Sequence, residues 1–147
     1  NPVAPQTLAA IAALPNVAGA KLSELSLADI AAYRDVVPAD FLLYTGADRD
    51  LVAAGAVGAQ GVVSGVSSVL PKPFRRLAAA ASTGDVAVIA EAQAAVDDVV
   101  AVVGGDMARM KAAYRIMGVA DTHCRMALAG PDTAALSDIE RVVEAYA

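Results

Sequence analysis

Three short apolar segments, each preceded by a segment with helical spacing, are the feature that most constrains how this chain folds. The predicted order is helix 7–14, strand 17–21, helix 26–38, strand 41–45, helix 50–56 and strand 60–64. Pro15 and Asn16 end the first helical pattern, and Ser26 is a suitable N-cap for the second. Because parallel strands need a crossover between them, this alternation predicts a parallel sheet.

The second half of the sequence changes to helical patterns alone. A loop is predicted at 65–68, and helices are then predicted over residues 74–81, 86–103, 107–117 and 133–146. In the last of these, Leu136, Ile139 and Val143 lie on one apolar stripe. We therefore expect an additional helical layer after the sheet.

Three strands are few for a parallel sheet. Such a sheet is normally covered by helices on both faces or closed into a barrel, and three strands alone leave two open edges. The chain also begins at Asn1 without a methionine. We expect it to be part of a larger fold.

The composition excludes several classes of partner. The formal net charge is −5 and the sequence has no run of Lys or Arg, whereas nucleic acids and anionic membranes need a basic surface. No apolar stretch reaches the roughly 18 residues of a membrane helix, and no basic leader precedes an apolar segment. Cys124 is the one cysteine, which rules out an internal disulfide. We expect a cytoplasmic protein that binds neither nucleic acid nor membrane.

The first predicted strand ends in a single amine, that of Lys21. In a parallel α/β architecture, ligands are bound at the carboxyl ends of the strands. A lysine desolvated at such an end is suited to attack a ketone, which makes Lys21 a candidate Schiff-base nucleophile. The alternative is a lysine that leaves the strand for solvent, as most lysines do.

The other candidate motifs are weak. His123 and Cys124 are adjacent but lack further ligands at zinc spacing, and one histidine is a poor basis for a catalytic triad. The glycines of residues 55–65 match neither the dinucleotide fingerprint nor the P-loop. Arg109 and Lys111 are interpreted as a solvated helix face. We expect no metal and no phosphate clamp.

Six segments in order carry a resemblance to a known family. They are Val17-Ala18-Gly19-Ala20-Lys21, Leu43-Tyr44-Thr45-Gly46-Ala47-Asp48, Ala54 to Ser64, Gly84-Asp85, Lys111-Ala112-Ala113-Tyr114 with Gly118, and Arg125-Met126-Ala127-Leu128. In this order and spacing they resemble the dihydrodipicolinate synthase and N-acetylneuraminate lyase family, over essentially the whole chain.

The resemblance implies an α/β fold that is the C-terminal half of a (β/α)8 TIM barrel, strands six to eight, followed by an extra C-terminal helical layer. Residues 1–70 would be the half-barrel βα units that carry the lysine. Residues 71–147 would be the last barrel helix and the C-terminal helices. A complete barrel needs about 250 residues, so the missing N-terminal half of the barrel is an expected partner. Relatives commonly assemble, which implies a homo-oligomer, either a dimer or a tetramer.

For function, the resemblance implies a Schiff-base-forming lyase or synthase, an aldolase-type enzyme that acts on pyruvate or another 2-oxo acid. Lys21 would form the imine, so no separate cofactor is expected. The family's proton-relay tyrosine and carboxylate-binding loop belong to the missing half, so the isolated half is expected to be inactive. The alternative is a non-catalytic half-barrel or structural partner.

The resemblance also implies substrate-binding positions. Gly46 and Asp48 match the loop after strand seven, and Val63 and Ser64 match the end of strand eight. Ser23 matches a serine that follows the lysine. Two departures leave the substrate open: Arg49 stands where the sugar-acid lyases have a glutamate, and Glu24-Leu25 replaces a Gly-Asp pair.

Overall fold

The computed structural model describes residues 3–147. Asn1, the first residue of the sequence, therefore lies outside the described residues. The described chain forms two compact units, the first ending at Val63 and the second beginning at Ser64. The elements are α1 Pro5–Ala12, β1 Gly19–Leu22, α2 Leu27–Arg34, β2 Leu42–Thr45, α3 Leu51–Ala56, β3 Gly61–Val62, α4 Gly65–Val69, α5 Pro71–Thr83, α6 Val86–Val103, α7 Met107–Ile116 and α8 Thr133–Tyr146.

The first unit contains the parallel sheet that the sequence predicts. The strand order is β1-β2-β3, and both neighbouring pairs are parallel. Lys21 is in register with Tyr44, and Tyr44 is in register with Gly61. These three positions therefore form one row across the sheet.

Helices cover one face of this sheet. Leu22, Leu43 and Thr45 are buried, and the core cluster of the unit joins strand residues to residues of α1, α2 and α3. Because side chains alternate along a strand, Lys21 projects from the opposite face to Leu22. On that opposite face Leu42 is 38% exposed and Val63 is 47% exposed. The first strand is therefore packed against helices on one face only, although its apolar sequence is typical of a strand that is buried on both faces.

The strands are shorter than the sequence pattern indicates. The first begins at Gly19 instead of Val17, and the third is reduced to Gly61–Val62 from the predicted 60–64. Gln60 extends the pairing of β3 without being a strand residue, because its side-chain Oε1 accepts the Leu43 N–H at 2.6 Å and its own N–H donates to the Leu43 carbonyl at 2.8 Å. An apolar pattern in the sequence indicates which residues are buried. It does not indicate where the hydrogen bonds between neighbouring strands end.

Helix α2 begins as predicted and ends earlier. Ser26 caps it, and Asp29 completes a capping box with the Ser26 backbone N–H. The helix ends at Arg34 instead of near Pro38. The Arg34 guanidinium donates to the Phe41 carbonyl at 2.7 Å and also to the Pro38 carbonyl, so it holds the α2–β2 connection in a non-helical path.

All the regular elements of the second unit are helices, and one of these helices was not predicted. The Gly65 to Ser68 segment was expected to be a loop but begins α4, because the Ser64 hydroxyl accepts the Ser67 N–H at 3.0 Å as an N-cap. Helices α6 and α8 have the predicted bounds. A bidentate ion pair joins them, with Arg141 donating twice to Asp98 at 2.8 Å.

Candidate functional site

Lys21 is the next-to-last residue of β1 and lies on the open face of the sheet. Its side chain is exposed in this chain. Residues 3–147 therefore do not provide the desolvated surroundings that a nucleophilic lysine needs. The alternation of the strand explains the difference, since burial of Ala20 and Leu22 against the helices sends Lys21 to the other side.

Gly46 lies beside Lys21 at the end of β2. Its backbone N–H donates to the Leu22 carbonyl at 2.7 Å, which holds the start of the β2–α3 loop against β1. A Cβ atom at this position would lie 3.0 Å from Lys21 Cε and 3.1 Å from Ser23 Oγ. Three of the sequence-predicted site residues are thus brought together, and the glycine leaves the space that the other two side chains occupy.

Asp48 follows in the same loop. The Thr45 hydroxyl, which is buried, accepts the Ala47 N–H at 3.0 Å, and the Asp50 N–H donates to the Ala47 carbonyl at 3.1 Å. These bonds shape the turn that carries Asp48, whose side chain is half-buried. The turn keeps a carboxylate on the loop that begins at Gly46.

Val63 and Ser64 fall in different units. Val63 continues the ladder of β3, because its N–H donates to the Thr45 carbonyl at 2.9 Å, and its side chain is on the open face of the sheet. Ser64 begins the second unit and is buried. Its hydroxyl oxygen accepts the Ser67 N–H of the helix α4 cap, which leaves the O–H as a donor and one lone pair as an acceptor.

A cavity of about 470 Å³ lies next to Lys21 within the first unit. Its lining combines Lys21 and Ser23 with two residues that the sequence analysis did not propose as site residues, Glu24 and Tyr33. The Tyr33 hydroxyl donates to the Val3 carbonyl, so it is held by the segment before α1. Glu24 occupies a left-handed backbone conformation with φ of 57°. The signal in the sequence that pointed to Glu24 is that it stands where the family resemblance implies a glycine.

The described residues contain no group of three or more His, Cys, Asp or Glu side chains placed to hold a metal ion. His123 contacts Asp121 at 3.0 Å, and both side chains are exposed.

Within residues 3–147, no helix is both long enough and apolar enough to cross a bilayer.

Comparison with known proteins gives one consistent family. The family model described as the dihydrodipicolinate synthetase family matches residues 2–146. The 4-hydroxy-tetrahydrodipicolinate synthase of Synechococcus elongatus is 37% identical over 83 residues, which cover 56% of this chain and 28% of that protein.

Solved structures match over a longer part of the chain. Dihydrodipicolinate synthase from Bacillus anthracis superposes with a TM-score of 0.85 at 19% identity, over 97% of this chain and 50% of that one. A putative dihydrodipicolinate synthase from Thermus thermophilus gives a TM-score of 0.83 at 25% identity, over 99% of this chain and 51% of that one. The chain therefore spans about half the length of the solved chains that it matches.

Proposed function

The chain belongs to the dihydrodipicolinate synthetase family, and from that membership we propose that Lys21 is the nucleophile of a lyase or synthase acting on pyruvate or a related 2-oxo acid. Curated relatives are 4-hydroxy-tetrahydrodipicolinate synthases, and one structural relative, a prophage protein from E. coli K12, was solved in complex with pyruvate. From the resemblance, Lys21 is proposed to occupy the position of the family's imine-forming lysine.

The proposed chemistry begins with attack of the neutral Lys21 amine on the keto carbon. A carbon–nitrogen bond forms, the carbonyl oxygen leaves as water, and an iminium remains on Nζ. The iminium accepts the electron pair of an adjacent bond, so that a carbon–carbon bond is broken or made through an enamine. This covalent imine does the work of a cofactor, and we propose that none other is needed.

The observation that carries the proposal is the grouping of Lys21, Ser23 and Gly46. Gly46 leaves the Lys21 side chain room beside the Ser23 hydroxyl, since a Cβ there would come within 3.0 Å of Lys21 Cε. The Ser23 hydroxyl is proposed to supply a hydrogen-bonding group near the reacting nitrogen. Asp48 and Val63 are proposed to border the rest of the substrate, and Ser64 is proposed to complete its polar lining.

We further propose that the chain supplies strands six to eight of a (β/α)8 barrel, with residues 1–70 as βα units and 71–147 as the last barrel helix and C-terminal layer. The open sheet face supports this, because parallel sheets are covered on both faces and here Leu42 and Val63 are exposed. The missing strands would cover Lys21 and desolvate its amine. The complete protein is proposed to be a dimer or a tetramer.

Borohydride trapping tests the function. The protein that contains the remaining barrel strands is incubated with pyruvate, reduced, and analysed by intact mass and peptide mapping. We expect one reduced adduct, located on Lys21 and absent from Lys21→Arg. Lys72→Arg is the matched control, because Lys72 lies on α5 in the second unit. An adduct that persists in Lys21→Arg would refute the assignment of the nucleophile.

The exposure of Lys21 favours a second candidate, a half-barrel that contributes structure without chemistry. It predicts no adduct even when the remaining strands are present. It also predicts that Lys21→Arg leaves their assembly unchanged, which size-exclusion chromatography measures. The trapping experiment therefore separates the two candidates.

A further inference from the structure

A cavity of about 270 Å³ in the second unit carries a concentration of positive charge. Its lining includes Lys111 and Arg115 from α7 and His123 and Cys124 from the segment between α7 and α8. Among the described residues that line it, none is acidic. The whole chain has a net charge of −5, so this concentration of cations is not a consequence of a generally basic sequence.

The helix places the two cations on one face. Residues four apart on a helix are neighbours, and like charges at this spacing repel each other. Arg115 lies in the last turn of α7, where a cation is favoured by the helix dipole. Lys111 lies a turn earlier and is half-buried. The Lys111 ammonium has no hydrogen bond or ion pair within residues 3–147. The helix dipole therefore favours the charge of Arg115, but nothing described compensates the charge of Lys111.

Local hydrogen bonds hold the facing wall of the cavity in place. The Arg115 guanidinium donates to the Thr122 carbonyl, and the Thr122 hydroxyl donates to the Lys111 carbonyl at 3.0 Å. These two bonds attach the segment that carries His123 and Cys124 to α7. The cavity is therefore built by the fold and does not depend on the chance position of one side chain.

We propose that this cavity binds a small oxoanion, a phosphate or an organic carboxylate, through Lys111 and Arg115. An oxoanion placed between the two cations relieves their repulsion and gives the ammonium a charge-assisted hydrogen bond. The guanidinium keeps donors beyond the one used for Thr122, because it carries five N–H groups. The sequence predicts a solvated helix face for Lys111, whereas the structure makes it part of a cavity wall. The site is separate from Lys21 and does not rest on the proposed function.

Cys124 is a built-in reporter, because it is the one cysteine and lines the same cavity. Its reaction with neutral dithiodipyridine forms a mixed disulfide and releases thiopyridone, which is followed by absorbance. We expect inorganic phosphate or succinate to slow the labelling with saturation, compared with sodium chloride at equal ionic strength. The ion that protects at lower concentration identifies the oxoanion. Equal protection by chloride would overturn the proposal.

Lys111→Met removes the ammonium and keeps the apolar stem of the side chain. We expect the protecting concentration to rise about tenfold, the size of one lost charge-assisted contact. Lys111→Arg restores protection, and Arg75→Met, an exposed change on α5, leaves it unaltered. Unchanged protection in Lys111→Met would contradict the proposal.

A second measurement needs no variant. His123 is the one histidine, so its imidazole gives a single set of NMR signals. We expect those signals to shift with saturation as phosphate or succinate is added, at the concentration that protects Cys124. A titration in which the signals move no more than with sodium chloride would count against the site.

Discussion

At the scale of single residues, Gly46 determines how much room the Lys21 side chain has. The backbone of Gly46 is not in a left-handed conformation, so its value lies in the absent Cβ and not in its flexibility. The atoms that a Cβ would meet are Lys21 Cε at 3.0 Å and Ser23 Oγ at 3.1 Å. One methyl group at this point would therefore change the position of the proposed nucleophile.

We predict that Gly46→Ala slows imine formation with pyruvate by about tenfold to a hundredfold, because a displaced nucleophile loses the geometry of attack. The rate of borohydride-trapped adduct formation in the complete barrel measures this. Gly55→Ala is the matched control, since nothing lies within 4 Å of a Cβ there and the residue is in α3. Equal rates of adduct formation in Gly46→Ala and the wild type would show that Gly46 is not needed to leave space for the Lys21 side chain.

Glu24 is a non-glycine residue in the left-handed region, with φ of 57°. Replacing it with glycine, the residue that the family resemblance implies here, should raise the free energy of unfolding by about 0.5–1 kcal/mol. The left-handed conformation costs a residue with a Cβ about 1–2 kcal/mol, and the greater freedom of glycine in the unfolded chain offsets about 0.5–1 kcal/mol of that gain. Urea unfolding measures the change. Glu24→Ala removes the carboxylate and keeps the strain, so a gain of equal size in both variants would assign the effect to charge.

At the scale of elements, the caps explain why helix starts were predictable and the short helix α4 was not. Ser26, Asp85, Asp106 and Asp132 each accept a backbone N–H of the first turn, and each precedes a helical pattern of eight or more residues. Ser64 does the same for α4, which is only five residues long. A pattern that short carries too little periodicity to distinguish a helical turn from a Gly- and Ser-rich loop.

The ion pair between α6 and α8 makes part of the stability depend on pH. A hydrogen bond from Arg141 is the largest cause that lowers the pKa of Asp98 from its ordinary value of 3.8. The pair therefore stabilises the fold above pH 3.8, and the contribution disappears as the pH falls through the folded-state pKa. Both side chains are partly exposed, which screens the interaction.

We predict that Asp98→Asn lowers the urea midpoint at neutral pH and that its difference from the wild type shrinks as the pH falls below 3.8. The measurement is a set of urea unfolding curves from neutral to acid pH. Glu140→Gln, an exposed change on α8, controls for the loss of one negative charge. A difference that stays constant with pH would show that the pair does not act through the charge of Asp98.

At the scale of the whole molecule, the open sheet face is the feature with the largest consequence. Leu42 and Val63 are exposed there beside Lys21, although parallel sheets are normally covered on both sides. The chain spans about half the length of the solved chains that it matches, and the barrel strands proposed above would cover this face. The same face that makes Lys21 accessible leaves apolar side chains in water.

We predict that the isolated chain associates with itself through this face and that Leu42→Ser with Val63→Ser raises its monomer fraction in sedimentation velocity, because the double change removes exposed apolar area. Val86→Ser is the control, since Val86 is 79% exposed at the start of α6 and belongs to the second unit, not to the sheet. If the control changes the monomer fraction as much as the double variant does, association does not occur through the sheet face.

The sequence alone was enough to predict the order of the elements other than α4, the parallel sheet and the family. Local periodicity and capping residues, such as Ser26, act within a few positions, so they can be read without the fold. The family follows from six short segments in order, and the match over residues 2–146 confirms it.

The surroundings of each predicted site residue depend on the three-dimensional fold and could not be predicted from the sequence. Lys21 is exposed because β1 turns Leu22 to the helices, and Gly46 lies against Lys21 because β2 pairs with β1 in one register. The cavity lined by Lys111 and His123 depends on how a loop folds back on α7. The first two results come from pairing between strands distant in the chain, and the third comes from hydrogen bonds between α7 and the loop that follows it. None of these contacts leaves a periodic signal in the sequence.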